Sequence, residues 1–198
     1  MRLIAEGLAA ERGGRPVFAG LTFTVADGEL LAVTGPNGAG KSTLLRTLAG
    51  LLRPSAGRIV TEPASEDGVG QSVHYLGHLD ALKPVLTVAE NLAFWCRLWG
   101  TGAVGPALEA VGLAALDDLP VAVLSAGQKR RVAIARLLLA PRPLWLLDEP
   151  TTGLDAAAEA TLGRLIAAHL RNGGLAIVAT HRDLPVPASA TLSLDQRR

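Results

Sequence analysis

Gly35-Pro36-Asn37-Gly38-Ala39-Gly40-Lys41-Ser42 is the segment in which residue type and spacing most directly specify chemistry. Its glycines, Gly35, Gly38 and Gly40, let the backbone curl until successive N–H groups point inward, a nest for anionic oxygens. The apolar run Leu30-Leu31-Ala32-Val33 precedes it and reads as a buried strand. A helical pattern opens at Ser42 and continues through Thr43, adding the positive end of a helix. Strand, glycine-rich loop and helix in that order give the context in which such a segment reads as a phosphate-binding loop. There Lys41 reaches the β- and γ-phosphates of a nucleotide, and the Ser42 hydroxyl is placed to ligate Mg²⁺.

A second group of residues completes that chemistry. Leu144-Trp145-Leu146-Leu147 is an apolar strand that ends in adjacent carboxylates, Asp148 and Glu149. At the carboxyl end of a strand Asp148 is placed to hold the Mg²⁺ shell, and Glu149 to polarise an attacking water. Carboxylates at strand ends are common. Their arrival downstream of a phosphate loop gives these two their meaning.

The elements that must position these groups follow from hydrophobic periodicity. Residues 1–34 read as short strands, with Leu21–Val25 alternating and Ala26-Asp27-Gly28-Glu29 as a turn. A helix is expected from Ser42 to Leu52, stopped by Arg53–Gly57; residues 58–76 read as strand mixed with polar loop. Thr87, with Glu90 three residues on, caps a helix running to Trp99. Further helices are expected at 106–112, 125–140 and 155–171, and a buried strand at Leu175–Ala179. Strands alternating with helices imply a mainly parallel sheet. The middle of the chain, roughly 84–139, lacks a comparable buried strand and reads as an inserted helical subdomain within a single domain spanning 1–198.

Composition narrows the classes. The chain has 198 residues, 49% apolar and 19% charged, enough to bury a core and too apolar for disorder. A formal charge of +1 argues against nucleic acid as a partner. Cys96, the single cysteine, lies in Phe94-Trp95-Cys96 and reads as an inert buried thiol. The opening Met1–Glu6 lacks the apolar core of a signal peptide, and no apolar run approaches bilayer length, which points to a cytosolic chain. A mean hydropathy of +0.32 without a span suggests apolar surface covered by partners.

Four motifs in order then carry a resemblance. The loop at Gly35–Ser42 and the Asp148-Glu149 strand end are joined by Leu124-Ser125-Ala126-Gly127-Gln128, which resembles the signature of ABC ATPases with Ala in place of the usual first Gly. Gly153-Leu154-Asp155 resembles their D-loop, and His181 their switch histidine. The resemblance implies an α/β P-loop fold with a mainly parallel core, a small antiparallel β subdomain and an inserted helical subdomain. It also implies ATP with Mg²⁺, and a head-to-tail homodimer in which Ser125, Gly127, Gln128 and Asp155 of one chain complete the site of the other. The local physics agrees: Ser125 begins a helix, so its N-terminus is an anion site. His181 by itself reads equally as a surface histidine; the family pattern gives it the bridge between Glu149 and the γ-phosphate.

Two departures refine the resemblance. The family's Q-loop glutamine position, nine residues before Thr87, is His78. The position of the adenine-stacking aromatic maps to Arg12, whose guanidinium is also able to stack on a base; Phe18 reads instead as core. Leu76-Gly77-His78 through Pro84, then Leu86-Thr87 and Glu90-Asn91-Leu92, resemble the ATPase subunit family of the cytochrome c maturation system. That resemblance implies a place at the cytoplasmic face of the inner membrane, bound to a CcmB-like permease and other cytochrome c maturation proteins. It leaves open whether haem is exported or a haem-loaded chaperone released. Segment 78–99 is the expected coupling face, with Phe94, Trp95 and Trp99 reading equally as subdomain core. ATPases of lipid, drug or lipoprotein exporters share every catalytic motif. A soluble, non-transport ABC protein would carry two cassettes or a long coiled coil.

Overall fold

The computed structural model describes residues 1–64 and 69–194; the polar stretch between β4 and β5 lies partly outside them. Two sheets form. The first has order β2-β1-β4, from β1 (Arg2–Arg12), β2 (Arg15–Val25) and β4 (Ala56–Glu62), all antiparallel. The second has order β5-β6-β7-β3-β8, from β3 (Leu30–Thr34), β5 (Val73–Leu76), β6 (Leu144–Asp148), β7 (Leu175–Ala179) and β8 (Ala190–Ser193), all parallel.

The five-stranded sheet is buried on both faces, and its side chains divide between two cores with the period of the pleat. Leu31, Val33, Leu144, Leu146, Leu175 and Ile177 face the antiparallel sheet and Leu44, Leu45 and Leu48 of α1 (Lys41–Leu48). Leu30, Ala32, Trp145, Leu147, Ala176 and Val178 face the other way. There they meet α2 (Val88–Trp99), α3 (Val104–Ala110), α4 (Ala126–Ala135) and Leu162 and Ile166 of α5 (Ala156–Arg171). Among the described residues, the stretch between β5 and β6 forms α2, α3, α4 and short 3₁₀ turns.

Several expectations shift. Residues 1–34 form two eleven-residue strands ahead of β3, longer than the short strands expected. Gly7 and Gly20 take positive φ where the register of β1 against β2 slips, so the ladder bends and continues. The helix expected over 42–52 ends at Leu48, because Gly50 adopts a left-handed conformation and its N–H turns back to Thr47. The helix expected over 125–140 is α4 followed by a 3₁₀ turn at Arg136–Leu138. Thr87 caps α2 in a capping box with Glu90, as its spacing predicts. Phe18 is buried in the core shared with the antiparallel sheet, while Cys96 is half-buried against the other, helix-covered core.

Candidate functional site

β3 delivers the glycine-rich loop to the carboxyl end of the parallel sheet, and α1 leaves from it. Glycine is required at two points for distinct reasons. Gly35 has φ 140°, and a side chain there would meet the Leu194 carbonyl oxygen at 2.6 Å. Gly40, the N-cap of α1, has φ 101°, and a Cβ would meet Val17 Cγ1 at 2.5 Å. The loop therefore packs between β2 and the segment after β8 with its open side toward a cavity of about 530 Å³.

Pro36, Asn37, Gly38, Gly40, Lys41, Ser42 and Thr43 line that cavity together with Asp148, Glu149 and His181. Arg12, from the end of β1, and His78, just after β5, also reach it. Two residues of the expected loop set do not line it. Gly35 sits against the Leu194 carbonyl, and the Ala39 methyl packs into the core while its N–H donates to Pro36 O at 3.1 Å. They shape the loop from behind. Val17 and Thr152 line the cavity without having been singled out.

The polar groups are close-set. Ser42 Oγ donates to Asp148 Oδ1 at 3.0 Å. Asp148 is almost fully buried, and its Oδ2 lacks a hydrogen-bond partner. A hydroxyl and a carboxylate with one buried free oxygen form a hard oxygen donor pair, which fits a magnesium ion. Lys41 Nζ donates to Gly35 O at 2.7 Å and Pro36 O at 3.3 Å, and lies 3.8 Å from Glu149 Oε1. The buried ammonium is thus held by its own loop, facing the carboxylates.

Glu149 sits at φ 47°, a left-handed conformation unusual for a residue with a side chain. The turn is tied down: Glu149 N–H donates to Ala179 O of β7 at 2.9 Å, and Thr152 N–H returns to Glu149 O at 3.2 Å. His181 Nδ1 approaches Glu149 Oε2 to 2.9 Å, an ion-pair distance without hydrogen-bond alignment, since that oxygen has no hydrogen-bond partner. The segment after β7 is braced at Thr180, whose Oγ accepts from Arg182 N–H at 3.0 Å, and at Arg182, which pairs with Glu159 at 3.2 Å.

Ser125, Gly127, Gln128 and Asp155 line a separate pocket of about 180 Å³. Ser125 caps α4 in a capping box with Gln128, and Asp155 caps α5 through Ala158 N–H at 2.8 Å. Gly127 lets the start of α4 lie against the loop before α5, since a Cβ there would stand 2.7 Å from the Gly153 carbonyl oxygen.

A phosphate-cradling loop between β3 and α1, with two carboxylates at the end of β6, defines a P-loop nucleotide-binding ATPase. Comparison with known proteins agrees. The ABC transporter family model matches residues 18–152. An ABC transporter (ATP-binding protein) from Pyrococcus furiosus superposes with a TM-score of 0.86 at 26% identity over 98% of both chains. An ATP-binding subunit of an ABC transporter superposes at 0.82 with 29% identity, over 91% of this chain and 80% of that one. The cytochrome c biogenesis ATP-binding export protein CcmA of Brucella abortus (strain 2308) is 54% identical over 91% of this chain and 86% of its own length. CcmA of Rhodopseudomonas palustris (strain BisB5) is 54% identical over 95% and 96%. That of Chelativorans sp. (strain BNC1) is 50% identical over 98% of each. The chain belongs to the ABC transporter family, in its CcmA branch of ATP-binding proteins.

Proposed function

We propose that this chain is the ATP-hydrolysing subunit of the ABC complex that serves c-type cytochrome biogenesis. The observation that carries the reading is the convergence of Lys41, Ser42, Asp148, Glu149 and His181 on one cavity, in a chain about half identical to CcmA proteins over nearly its whole length.

Loop N–H groups and the N-terminus of α1 receive the phosphates of ATP. Lys41 is held beside Glu149 and faces the developing charge on the transferred phosphoryl group. Ser42 and Asp148 would hold Mg²⁺, which when bound neutralises phosphate charge. Glu149 orients water and accepts its proton, and His181 fixes the Glu149 carboxylate. Arg12 lies where a guanidinium could cover the adenine.

Ser125, Gly127, Gln128 and Asp155 line a pocket at the N-terminus of α4, apart from the chain's own phosphate loop. This supports a head-to-tail homodimer in which each such pocket closes on the nucleotide of the partner. Among the described residues no helix is long and apolar enough to cross a membrane. Leu79 and Val85, 81% and 85% exposed, stand with exposed Phe94 and Leu98 along the 78–99 segment. That apolar surface supports docking of a CcmB-like permease, and with it a peripheral position at the cytoplasmic face of the inner membrane, where the complex serves haem delivery. Trp95 and Trp99 are not part of it: both pack against the core, beneath Arg136 and Arg142.

The test is Glu149→Gln in the purified full chain. ATP binding is retained while turnover falls by about 10²–10⁴-fold, the usual worth of a general base. Near-normal hydrolysis would remove Glu149 from the role. Crosslinkers at Lys83 should capture a multi-spanning membrane subunit; capture only from the opposite face would refute the docking assignment.

A further inference from the structure

We infer that Arg130 is a positioning residue that locks the Asp148–Glu149 turn to the loop 77–80, so that the loop's position sets the aim of the Glu149 carboxylate. The inference deepens the proposed reading of the site and rests on Glu149 acting there.

Arg130 lies on α4 and is 4% exposed. Its Nη2 donates to Asp148 O and Glu149 O, both at 2.9 Å, and its Nε to Pro150 O at 3.2 Å. Its Nη1 donates to Gly77 O at 2.8 Å and Asp80 Oδ1 at 2.9 Å. A guanidinium has five N–H donors in a fixed plane. All five acceptors here are accounted for by that fork, three from consecutive residues of one turn and two from the loop.

Geometry gives this fork leverage. Glu149 occupies a left-handed conformation that persists where its surroundings over-determine it. Arg130 bonds the carbonyls of Asp148, Glu149 and Pro150, so it holds the peptides flanking the strained residue. The other edge of the fork is on Gly77 and Asp80, which bracket His78 in the nucleotide cavity and the exposed Leu79. A second arginine grips the same loop: Arg136 Nη1 donates to Asp80 O at 3.2 Å, and its guanidinium lies 5.1 Å over Trp95 of α2. Because the fork is planar and rigid, displacement of Gly77 and Asp80 is transmitted to the peptides of 148–150. A lysine, a point charge on a flexible stem, holds fewer of these acceptors and none in a fixed plane.

The experiment measures nucleotide Kd and ATPase kcat for the full chain purified with its membrane partner, comparing Arg130→Lys, Asp80→Ala and Glu149→Gln. Arg130→Lys is expected to keep Kd within about twofold while kcat falls by roughly 30-fold or more. Asp80→Ala, which leaves the four carbonyl bonds in place and lies where water can replace the carboxylate, is expected to fold, with a melting midpoint lowered by the loss of the ion pair to the buried guanidinium. Its kcat should fall about 3- to 10-fold at constant Kd. A role in folding alone would leave Asp80→Ala at wild-type kcat. That result, or a Kd that worsens in step with kcat in Arg130→Lys, overturns the inference. If Glu149→Gln is inactive while both other variants turn over normally, the Arg130 assignment alone fails. If Glu149→Gln turns over normally, the reading of the site fails with it.

Discussion

Gly127 stands in the signature-like segment, and its role within a single chain has a measurable size. A Cβ at 127 would lie 2.7 Å from the Gly153 carbonyl oxygen and 3.9 Å from its carbon. A carbon and an oxygen sit comfortably at about 3.3–3.6 Å, so Gly127→Ala requires a retreat of more than half an ångström. Neither side yields easily. Val132, Ala133 and Ala135 anchor α4 in the core at zero exposure, and the opposing loop is held as a turn by Leu154 N–H to Thr151 O at 3.1 Å and at its end by the Asp155 cap on α5. Overpacking of this kind costs about 1–3 kcal/mol. Better helix propensity returns at most about 1 kcal/mol, so the clash wins and the variant is less stable by about 0.5–2 kcal/mol. Gly105, in the first turn of α3 with nothing within 4 Å of a Cβ, is the matched control. Gly105→Ala meets only the ring of the neighbouring Pro106, which offsets the propensity gain, and should stay within about 0.5 kcal/mol of wild type. Urea unfolding, read as the midpoint at constant slope, decides between them. If Gly127→Ala is as stable as Gly105→Ala, the close approach of α4 to the 151–155 loop is not what requires glycine there.

Three other measurements follow from the same structure. Burial lowers the His74 pKa to about 4, with its Nε2 against Ala140 O and its ring edge-on to Trp99. Its folded pKa is below the unfolded value of about 6.5, so its stability contribution is complete above that pH and is lost as the pH falls toward 4, about 3 kcal/mol in all. A pH series of urea midpoints for wild type against His74→Gln should show this loss shrinking in the variant; parallel curves would assign the acid sensitivity elsewhere. Ser42→Ala removes the hydroxyl bonded to Asp148 and should raise the Mg²⁺ concentration for half-maximal ATPase by about tenfold with little change in melting; an unchanged Mg²⁺ titration would take Ser42 out of the ion site. Thr87→Ala breaks the capping box of α2 and should cost about 1 kcal/mol by urea unfolding; no loss would mean the box is redundant with packing.

The catalytic edge was legible because its chemistry is local in sequence. The phosphate loop is one octapeptide, and β6 and β7 are continuous apolar runs of the kind that a sheet buried on both faces demands. Caps at Thr87 and Ser125 were legible for the same reason: donor and acceptor lie three residues apart. β8 was not, since Ala190–Ser193 is a short, largely exposed edge strand whose partner, β3, is about 160 residues away. The length of β1 and β2 was obscured by glycines that mark bulges. Arg130 was hidden within Lys129-Arg130-Arg131, a run that reads as a solvated face. Its position three and four residues before buried Ala133 and Ile134 was the available signal. Its acceptors come from two segments far apart in the chain, 77–80 and 148–150, and become one site through folding alone.

The central claim is that ATP hydrolysis at Glu149 drives a complex on which c-type cytochromes depend. In a strain deleted for the gene, haem-stained c-type cytochromes should disappear and return when the wild-type chain is supplied. Glu149→Gln, present in membranes at the same level, should leave them absent. Full restoration by Glu149→Gln, or undiminished cytochromes in the deletion strain, would contradict the account.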